Sequence, residues 1–359
     1  MPHLLVAITA HGYGHVAQTA PVVNALRRRL PALRLTLYTD LSRDFLAGRF
    51  DGDFTHIARS PDVGMCMRNA LEVDAAASGR AYRQFHHHWE MAVVDEARLL
   101  EAHAPDTVLA NVPYRILAAA ALAGIPALAM CSLNWIDIYR HFCTTLPEAA
   151  TVLGEMLTAY GDAHAFLQPA PHMPMPDLDN RIGIGPIARI GADRRAQIRQ
   201  DLGLSPPARL ILVSLGGVPT QLDPATWPFI PDVHWIVPAA WNPQRHDSIT
   251  LESLEMDFFD VLCSADALIT KPGYGSFVEA ACNGVPVLYA PRLDWPEESF
   301  LVNWLQANGR CLPIQRAQLQ QGHFADALDQ LFVLPTPIPV IPTGIDDAVA
   351  RISAALNQG

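Results

Sequence analysis

The fold of this chain is indicated best by one stretch, which reads Ala267-Leu268-Ile269-Thr270-Lys271-Pro272-Gly273-Tyr274-Gly275-Ser276-Phe277-Val278-Glu279. Its apolar opening, 267–270, is typical of a buried strand, and residues 276–282 favour a helix. A strand, a Gly-x-Gly turn and a helix together present free backbone N–H groups at the positive end of the helix, which is an arrangement that binds phosphate. The alternative interpretation is a plain strand-to-helix turn.

Lys271 is the only lysine among the 25 basic residues of the chain, and all the others are arginine. Lysine carries a compact charge on a flexible stem, whereas arginine carries a planar fork, so the choice of lysine here has a chemical meaning. We expect Lys271 to offset the charge of a diphosphate leaving group without the help of a metal ion.

Length and composition restrict the class of protein. The 359 residues are enough for two α/β domains, and the net charge of −11 argues against a nucleic-acid surface. The longest apolar stretch, 116–130, is interrupted by Gly124 and Pro126, so we expect no transmembrane segment. The N-terminus enters a strand without a basic flank or cleavage site, which favours a cytoplasmic location without a signal peptide. The oligomeric state is not predicted.

No motif clearly predicts a metal site. The six cysteines form no C-x-x-C pair and lie largely in apolar segments, which suggests reduced, buried thiols. Residues 86–88 are three consecutive histidines. Adjacent residues on a helix do not face one another and cannot bind one metal ion together, so we interpret the run as a solvated helix face. Asp51-Gly52-Asp53 fits a D-x-D pattern but is predicted to be a turn.

Strands and helices alternate along the chain, which predicts an α/β fold with two Rossmann-like, doubly wound parallel sheets. In the first half we expect strands near 4–9, 34–39, 54–58, 107–110 and 126–130, and helices near 15–30, 81–102 and 115–123. In the second half we expect strands near 210–214, 235–237, 267–270 and 286–289, and helices near 258–264, 276–283, 298–308 and 346–356. The Pro-rich stretch 168–190 is predicted to connect the domains. The predicted division is 1–167, the linker 168–190, then 191–340 and 341–359, with a ligand in the cleft between the two domains.

The stretch around Lys271 resembles the donor-site loop of GT-B nucleotide-sugar glycosyltransferases. The resemblance implies that Gly273 and Ser276, with the intervening Tyr274 and Gly275, hold the diphosphate, and that Glu279 binds the ribose hydroxyls. It also implies that Glu297 and Glu298 bind the sugar hydroxyls. Gly284-Val285-Pro286 matches the G-x-P that follows the loop in these families. Gly216 and Gly217 resemble a second phosphate-facing loop, although loop geometry alone also explains them.

A closer resemblance covers nearly the whole chain. It is to the glycosyltransferase-like N-terminal module of plant L-arabinokinases, without the sugar-kinase module that follows there. This resemblance also implies that the last helix returns to the first domain. The matching motifs are His11-Gly12-Tyr13-Gly14-His15, Ala123-Gly124-Ile125-Pro126, Asn134-Trp135-Ile136-Asp137-Ile138-Tyr139, Lys271-Pro272-Gly273-Tyr274-Gly275 and Glu297-Glu298-Ser299-Phe300-Leu301.

His15 is the predicted catalytic base, because the resembling transferases place a histidine there to deprotonate the acceptor, and imidazole titrates near neutrality. A helix-capping or core histidine is the alternative, and His11 is the rival base. Those enzymes support the base with an aspartate, where this chain has Asn111. An amide orients an imidazole but cannot stabilise an imidazolium by charge. Asp137 is a candidate substitute.

We therefore expect an enzyme that transfers a sugar from a nucleotide donor, UDP-linked in the simplest case, to a hydroxyl of a small-molecule acceptor, with no metal or other cofactor. The alternatives are a non-catalytic nucleotide-sugar binding module, and an epimerase or hydrolase on the same fold. Tyr82, Phe85, Trp89 and Met91 are candidates for an acceptor pocket, although their helical spacing fits a core face better.

Overall fold

The computed structural model describes residues 1–69, 72–216, 222–292 and 294–357. The chain forms two compact α/β units. Unit 1 comprises Met1–Ile187 with Thr343–Gly359, and unit 2 comprises Ala188–Pro342. Each unit contains a parallel sheet, so the predicted fold class is confirmed. Within the described residues, no helix combines the length and apolar character that a membrane span requires.

Unit 1 is built on a seven-stranded parallel sheet in the order β3-β2-β1-β6-β7-β8-β9. All six residues of its central strand β1 are buried, as expected for a parallel strand covered on both faces. The strands are β1 (His3–Ile8), β2 (Arg34–Tyr38), β3 (Thr55–Ile57), β4 (Met67–Asn69), β5 (Glu72–Val73), β6 (Thr107–Asn111), β7 (Ala127–Met130), β8 (Ala165–Pro169) and β9 (Arg181–Ile184), of which β4 and β5 form a separate antiparallel pair. The helices are α1 (Gly14–Arg29), α2 (Arg43–Ala47), α3 (Ala75–His86), α4 (Trp89–His103), α5 (Arg115–Leu122), α6 (Trp135–Cys143) and α7 (Ala149–Gly161).

Unit 2 is built on a six-stranded parallel sheet in the order β12-β11-β10-β13-β14-β15. Its core includes Trp235, Phe324 and Ile269, which are completely buried. The strands are β10 (Arg209–Val213), β11 (Val233–Val237), β12 (Ser248–Thr250), β13 (Ala267–Thr270), β14 (Val287–Tyr289) and β15 (Cys311–Pro313). The helices are α8 (Arg195–Asp201), α9 (Phe258–Ser264), α10 (Tyr274–Cys282), α11 (Glu298–Asn308), α12 (Arg316–Gln321) and α13 (Ala325–Phe332).

The last helix, α14 (Gly344–Leu356), belongs to unit 1 although it follows unit 2 in the chain. It packs against α1 and buries Val349 and Ile352. Its entry is tight, because the N–H of Gly344 donates to the carbonyl of Pro186 at 3.0 Å, and a Cβ added at Gly344 would lie 2.0 Å from the carbonyl oxygen of Gly185.

The single helix predicted over 81–102 is wrong. The structure has two helices, α3 and α4, separated by His87 and His88. His88 has a φ of +61°, a left-handed conformation that an α-helix cannot contain. The histidine run is therefore not a solvated helix face either. His86 is buried, with its Nδ1 2.5 Å from Glu155 Oε2 and its Nε2 2.8 Å from the hydroxyl of Tyr114.

The Pro-rich stretch 168–190 differs from the predicted linker. It contributes β9 and the end of β8 to the sheet of unit 1, and the chain passes into unit 2 between Ile187 and Ala188. The prolines lie mostly between the two strands, where no ladder hydrogen bond requires their missing N–H groups. Proline density alone therefore placed the boundary too early.

Candidate active site

The predicted donor loop lies at the carboxyl edge of the sheet in unit 2, directly after β13. Gly273 is the N-cap of α10 and has an extended backbone with a φ of −168°. Because glycine has no side chain, it cannot accept a hydrogen bond from the start of the helix. The first N–H groups of α10 therefore point out of the helix end without a capping side chain. Ser276 lies in this first turn. The local geometry is that of an anion-binding helix end.

Lys271 lies between this helix end and the loop after β10. A Cβ added at Gly216, which has a φ of +73°, would lie 3.7 Å from Lys271 Cε, so the glycine leaves room beside the lysine. Burial, and to a smaller extent the positive charge of Arg292, lowers the pKa of Lys271 to about 8. Gly217, predicted beside Gly216, lies outside the described residues.

Four side chains follow β14 and form one connected cluster. Glu298 Oε2 accepts a hydrogen bond from the backbone N–H of Arg292 at 2.9 Å, and Glu297 Oε2 accepts one from Trp295 Nε1 at 3.2 Å. The guanidinium of Arg292 lies 4.5 Å from the centre of the Trp295 ring. The acidic pair was predicted to be functional, but Arg292 was not. Its position three residues after β14 was a signal that could have revealed it.

Glu279 and Tyr274, both predicted to contact the donor, lie on α10 and are buried, with 8% and 4% exposure. Gly275 lies in the first turn of the same helix. The structure therefore brings Gly216, Lys271 and the first turn of α10 to one edge of the sheet, and it places Glu279 one turn further along that helix.

His15 lies in the first turn of α1, at the carboxyl edge of the sheet in unit 1, and is 7% exposed. Its Nδ1 lies 2.8 Å from Asn111 Oδ1 at the end of β6. Asn111 Nδ2 donates to Gln18 Oε1, and Gln18 Nε2 donates to the hydroxyl of Ser132. Because the Asn111 amide nitrogen donates to Gln18, its Oδ1 faces His15 and accepts a hydrogen bond there. His15 Nδ1 therefore carries the proton, and Nε2 keeps its lone pair.

Burial lowers the pKa of His15 to about 4, and the hydrogen bond to Asn111 opposes this shift. The imidazole is therefore neutral near pH 7. The predicted substitute, Asp137, is not joined to this network. Its carboxylate accepts from Asn134 Nδ2 at 3.0 Å and pairs with Arg140 at 2.9 Å, within α6 and its N-cap.

His11 presents a different ring nitrogen from His15. The backbone N–H of Met65 donates to His11 Nδ1 at 3.3 Å, so in the neutral ring the proton resides on Nε2. A neutral His11 is thus a hydrogen-bond donor at Nε2, whereas His15 is an acceptor there. This difference favours His15 over its rival as a base.

Asp62 is a buried carboxylate that the sequence analysis did not single out. Its oxygens accept hydrogen bonds from the hydroxyl of Thr9 and from Trp135 Nε1, both at 2.7 Å. Burial raises the pKa of Asp62 to about 6, against the effect of these two bonds. The Trp135 ring lies 5.4 Å from the ring of His11 and 6.2 Å from that of His15, so one indole separates the carboxylate from both histidines. No sequence spacing links Asp62 to them.

The four residues proposed for an acceptor pocket do not share one face. Tyr82 is completely buried and Met91 is 65% exposed, on different helices. Trp89 lines a pocket of about 330 Å³ in unit 1, together with Glu155 and small residues of α5 and α7. In the part of the chain that the structure describes, no group of three or more His, Cys, Asp or Glu side chains is arranged to hold a metal ion.

Comparison with known proteins relates the whole chain to glycosyltransferases by fold. The calicheamicin glycosyltransferase CalG4 superposes with a TM-score of 0.60 and 17% identity, covering 100% of this chain and 94% of CalG4. A UDP-glucosyltransferase of Polygonum tinctorium gives 0.59 and 14% identity, covering 99% and 98% of the two chains. MurG of Acinetobacter baumannii gives 0.54 and 13% identity, covering both chains completely.

The sequence itself is similar to a plant protein. An L-arabinokinase of Arabidopsis thaliana is 25% identical in an alignment of 357 positions that covers 91% of this chain and 32% of the relative. The chain thus spans about a third of the length of this curated relative. No protein-family model matches the chain. The protein therefore has the GT-B glycosyltransferase fold, and its sequence is similar to part of a plant L-arabinokinase, in agreement with the predicted resemblance.

Proposed function

We propose that this protein transfers a sugar from a nucleoside-diphosphate donor, UDP-linked in the simplest case, to a hydroxyl group of a small-molecule acceptor. The observation that carries the proposal is the donor loop of unit 2. There, the first turn of α10 and the ammonium group of Lys271 lie at the carboxyl edge of one sheet. Both favour the negative charge of a diphosphate.

Lys271 suits a leaving-group role. With a pKa of about 8, it is mostly protonated at pH 7, and a diphosphate beside it would raise that pKa again. Its charge would stabilise the nucleoside diphosphate as the bond to the sugar breaks, so we propose that no metal is required. The acidic pair Glu297 and Glu298 would accept hydrogen bonds from the sugar hydroxyls, and Glu279 would accept them from the ribose.

His15 would act as the base of unit 1. Its Nε2 would take the proton of the acceptor hydroxyl as the acceptor oxygen attacks the anomeric carbon, and the nucleoside diphosphate would leave with the electron pair of the broken bond. Asn111 would hold the ring in the required tautomer without becoming charged. The low pKa of His15 keeps the ring neutral near pH 7, although it also makes the imidazole a weaker base.

The second candidate is a nucleotide-sugar binding module that does not catalyse transfer. The specific observation in its favour is the neutral side chain of Asn111, since no carboxylate contacts His15 within the described residues. The similarity to part of a kinase points the same way, because that relative's name describes a different reaction.

The test is a screen of UDP-, GDP-, ADP- and TDP-sugars by thermal shift, followed by measurement of nucleotide release with and without candidate acceptors. Acceptor-dependent release supports transfer. Binding without release supports the binding module, and release without acceptor indicates a hydrolase. Ser276→Ala combined with Glu279→Ala should weaken donor binding. If no nucleotide or nucleotide sugar at millimolar concentration stabilises the protein, the donor-site assignment is wrong.

The matched pair His15→Ala and His11→Ala tests the base. We expect His15→Ala to lower turnover by roughly 10²–10⁴-fold, the usual effect of losing a general base, while donor affinity is retained. His11→Ala should cost less, because its Nε2 carries the proton. Full activity of His15→Ala would exclude it as the base, and an equal loss of affinity and turnover would make it a structural residue.

A further inference from the structure

Arg292 is a half-buried cation whose guanidinium donates no hydrogen bond to the described residues. Its Nε atom is completely buried, and among the described residues it has no hydrogen-bond partner. Within the same residues, its guanidinium forms no ion pair. It lies over the face of the Trp295 ring, and it is attracted by the charges of Glu297 and Glu298 without a hydrogen bond to either. A buried guanidinium normally uses its N–H groups, because each one left without a partner costs free energy.

The nearby carboxylates do not supply the missing partners. Glu298 accepts from the backbone N–H of Arg292, not from its side chain, and Glu297 accepts from Trp295. Lys271, the neighbouring cation, also donates no side-chain hydrogen bond within the described residues, and the charge of Arg292 lowers its pKa. Two half-buried positive charges that repel each other are stabilised when an anion binds between or beside them.

We propose that Arg292 is a second anion-binding residue of the donor site and that it binds anionic oxygens at the sugar end of the donor. This inference rests on the proposed function. The placement at the sugar end follows from the cluster, since Arg292 is linked through its backbone to Glu298 and through Trp295 to Glu297. The planar fork of arginine fits two oxygens of one phosphate or of one carboxylate. The anion is therefore the second phosphate of the donor or the carboxylate of an acidic sugar.

The experiment compares the binding of UMP, UDP, UDP-glucose and UDP-glucuronate to the wild type, Arg292→Gln and Arg292→Lys by calorimetric titration. We expect Arg292→Gln to lose roughly 10- to 100-fold in affinity for its ligand, the usual effect of removing charge-assisted hydrogen bonds, and UMP to be affected least. An equal loss for UDP and both UDP-sugars identifies the second phosphate. A loss confined to UDP-glucuronate identifies a carboxylate. Arg292→Lys should recover only part of the affinity, because it keeps the charge without the fork.

Arg209→Gln is the matched control, since Arg209 also lies over an aromatic ring in unit 2, 3.9 Å from the centre of Phe332, but at the amino end of β10. It should bind all ligands as the wild type does. The melting temperature without ligand is an independent readout. Arg292→Gln should lower it only slightly, because no side-chain hydrogen bond or ion pair to the described residues is lost besides the contact with the Trp295 ring, whereas loss of a purely structural arginine would lower it strongly. Wild-type affinities in Arg292→Gln overturn the inference and leave the proposed function intact. Failure of every ligand to bind the wild type overturns both.

Discussion

Burial changes the ionisation of two residues at the centre of the proposed chemistry. His15 is almost completely buried and its pKa falls to about 4, so the ring remains neutral and can accept a proton. Lys271 is less affected, with a pKa of about 8, so it keeps most of its charge at pH 7. The same physical cause, the cost of charging a group away from water, thus produces a neutral base in one unit and a proton-responsive cation in the other.

Asn111→Asp tests the environment of His15. A carboxylate at this position would place a negative charge beside Nδ1, so we expect the pKa of His15 to rise from about 4 towards its ordinary value. NMR titration of the imidazole measures this without any assay of activity. Asn24→Asp adds the same charge at a half-buried position further along α1, where the amide bonds to Arg49 and Asp51 and not to His15, and it should leave the titration unchanged. An unaltered pKa in Asn111→Asp would show that the pair seen at 2.8 Å does not control the ring.

The pKa of Lys271 predicts how nucleotide affinity depends on pH. The lysine must be protonated to attract a diphosphate, so affinity should be constant well below pH 8 and should decrease as the pH rises above 8. Calorimetric titration of UDP between pH 6.5 and about 9.5 would measure this. In Lys271→Arg the decrease should disappear, because arginine stays protonated. A wild-type affinity that does not change across pH 8 would contradict the role of the lysine.

At the scale of helices and strands, the sequence predicted regular elements well and irregular backbone poorly. The strands around Lys271 and the helices α9 and α11 lie where their apolar patterns placed them. The break between α3 and α4 was not predicted, because a positive φ is uncommon for any residue other than glycine, although histidine is among the residues that adopt it more often, as His88 does. Asp62 was missed for a similar reason. It lies in an irregular segment after β3 and reaches the rings of the histidines through Trp135, which is far away in sequence.

Two glycines near His11 provide a test at this scale. Gly12 and Gly64 both have positive φ, but a Cβ at Gly64 would lie 2.9 Å from His11 Cβ, whereas a Cβ at Gly12 would meet no atom within 4 Å. We expect Gly12→Ala to lower the free energy of unfolding by about 1–2 kcal/mol through backbone strain alone. Gly64→Ala should lower it further, by about 1–3 kcal/mol, because the side chain of His11 must move. Urea denaturation measures both, and equal values would show that the contact with His11 is absent.

At the scale of the whole molecule, two buried groups oppose each other in the pH dependence of stability. The folded protein disfavours protonation of His15. The contribution of its neutral ring to the free energy of unfolding is therefore complete above pH 6.5 and is lost as the pH falls towards 4. Asp62, whose folded pKa is raised to about 6, acts in the other direction and adds stability as the pH falls through 6. Each effect is on the order of 3 kcal/mol at most. His86, whose burial also lowers its pKa to about 4, acts in the same direction as His15.

Removing either group should reveal the effect of the other. As the pH falls from 6.5 to 4, we expect His15→Gln to lose less free energy of unfolding than the wild type, and Asp62→Asn to lose more. Chemical denaturation at several pH values would measure both slopes. Identical slopes in the two variants would mean that neither group is titrated as its burial implies.

The sequence predicted the overall architecture better than it predicted the boundary between the two units. Alternating strands and helices indicated two α/β halves, because that pattern leaves few other ways to bury parallel strands. The change of unit at Ile187 was not predictable from composition, since β9 is short and half-exposed and follows a run of prolines. The assignment of α14 to unit 1 rested on resemblance, because the apolar face of an isolated helix does not specify which sheet it covers.

The position of α14 has a consequence for the way the protein is made. A ribosome releases the chain from its N-terminus, so the whole of unit 2 leaves the exit tunnel before the helix that covers α1. Until α14 has emerged, the surface of α1 that it covers remains without its partner, and so do Val349 and Ile352 of α14, which are completely buried in the folded unit. Translational pausing or premature termination near residue 340 would therefore leave the unit that is made first as the one that is still incomplete.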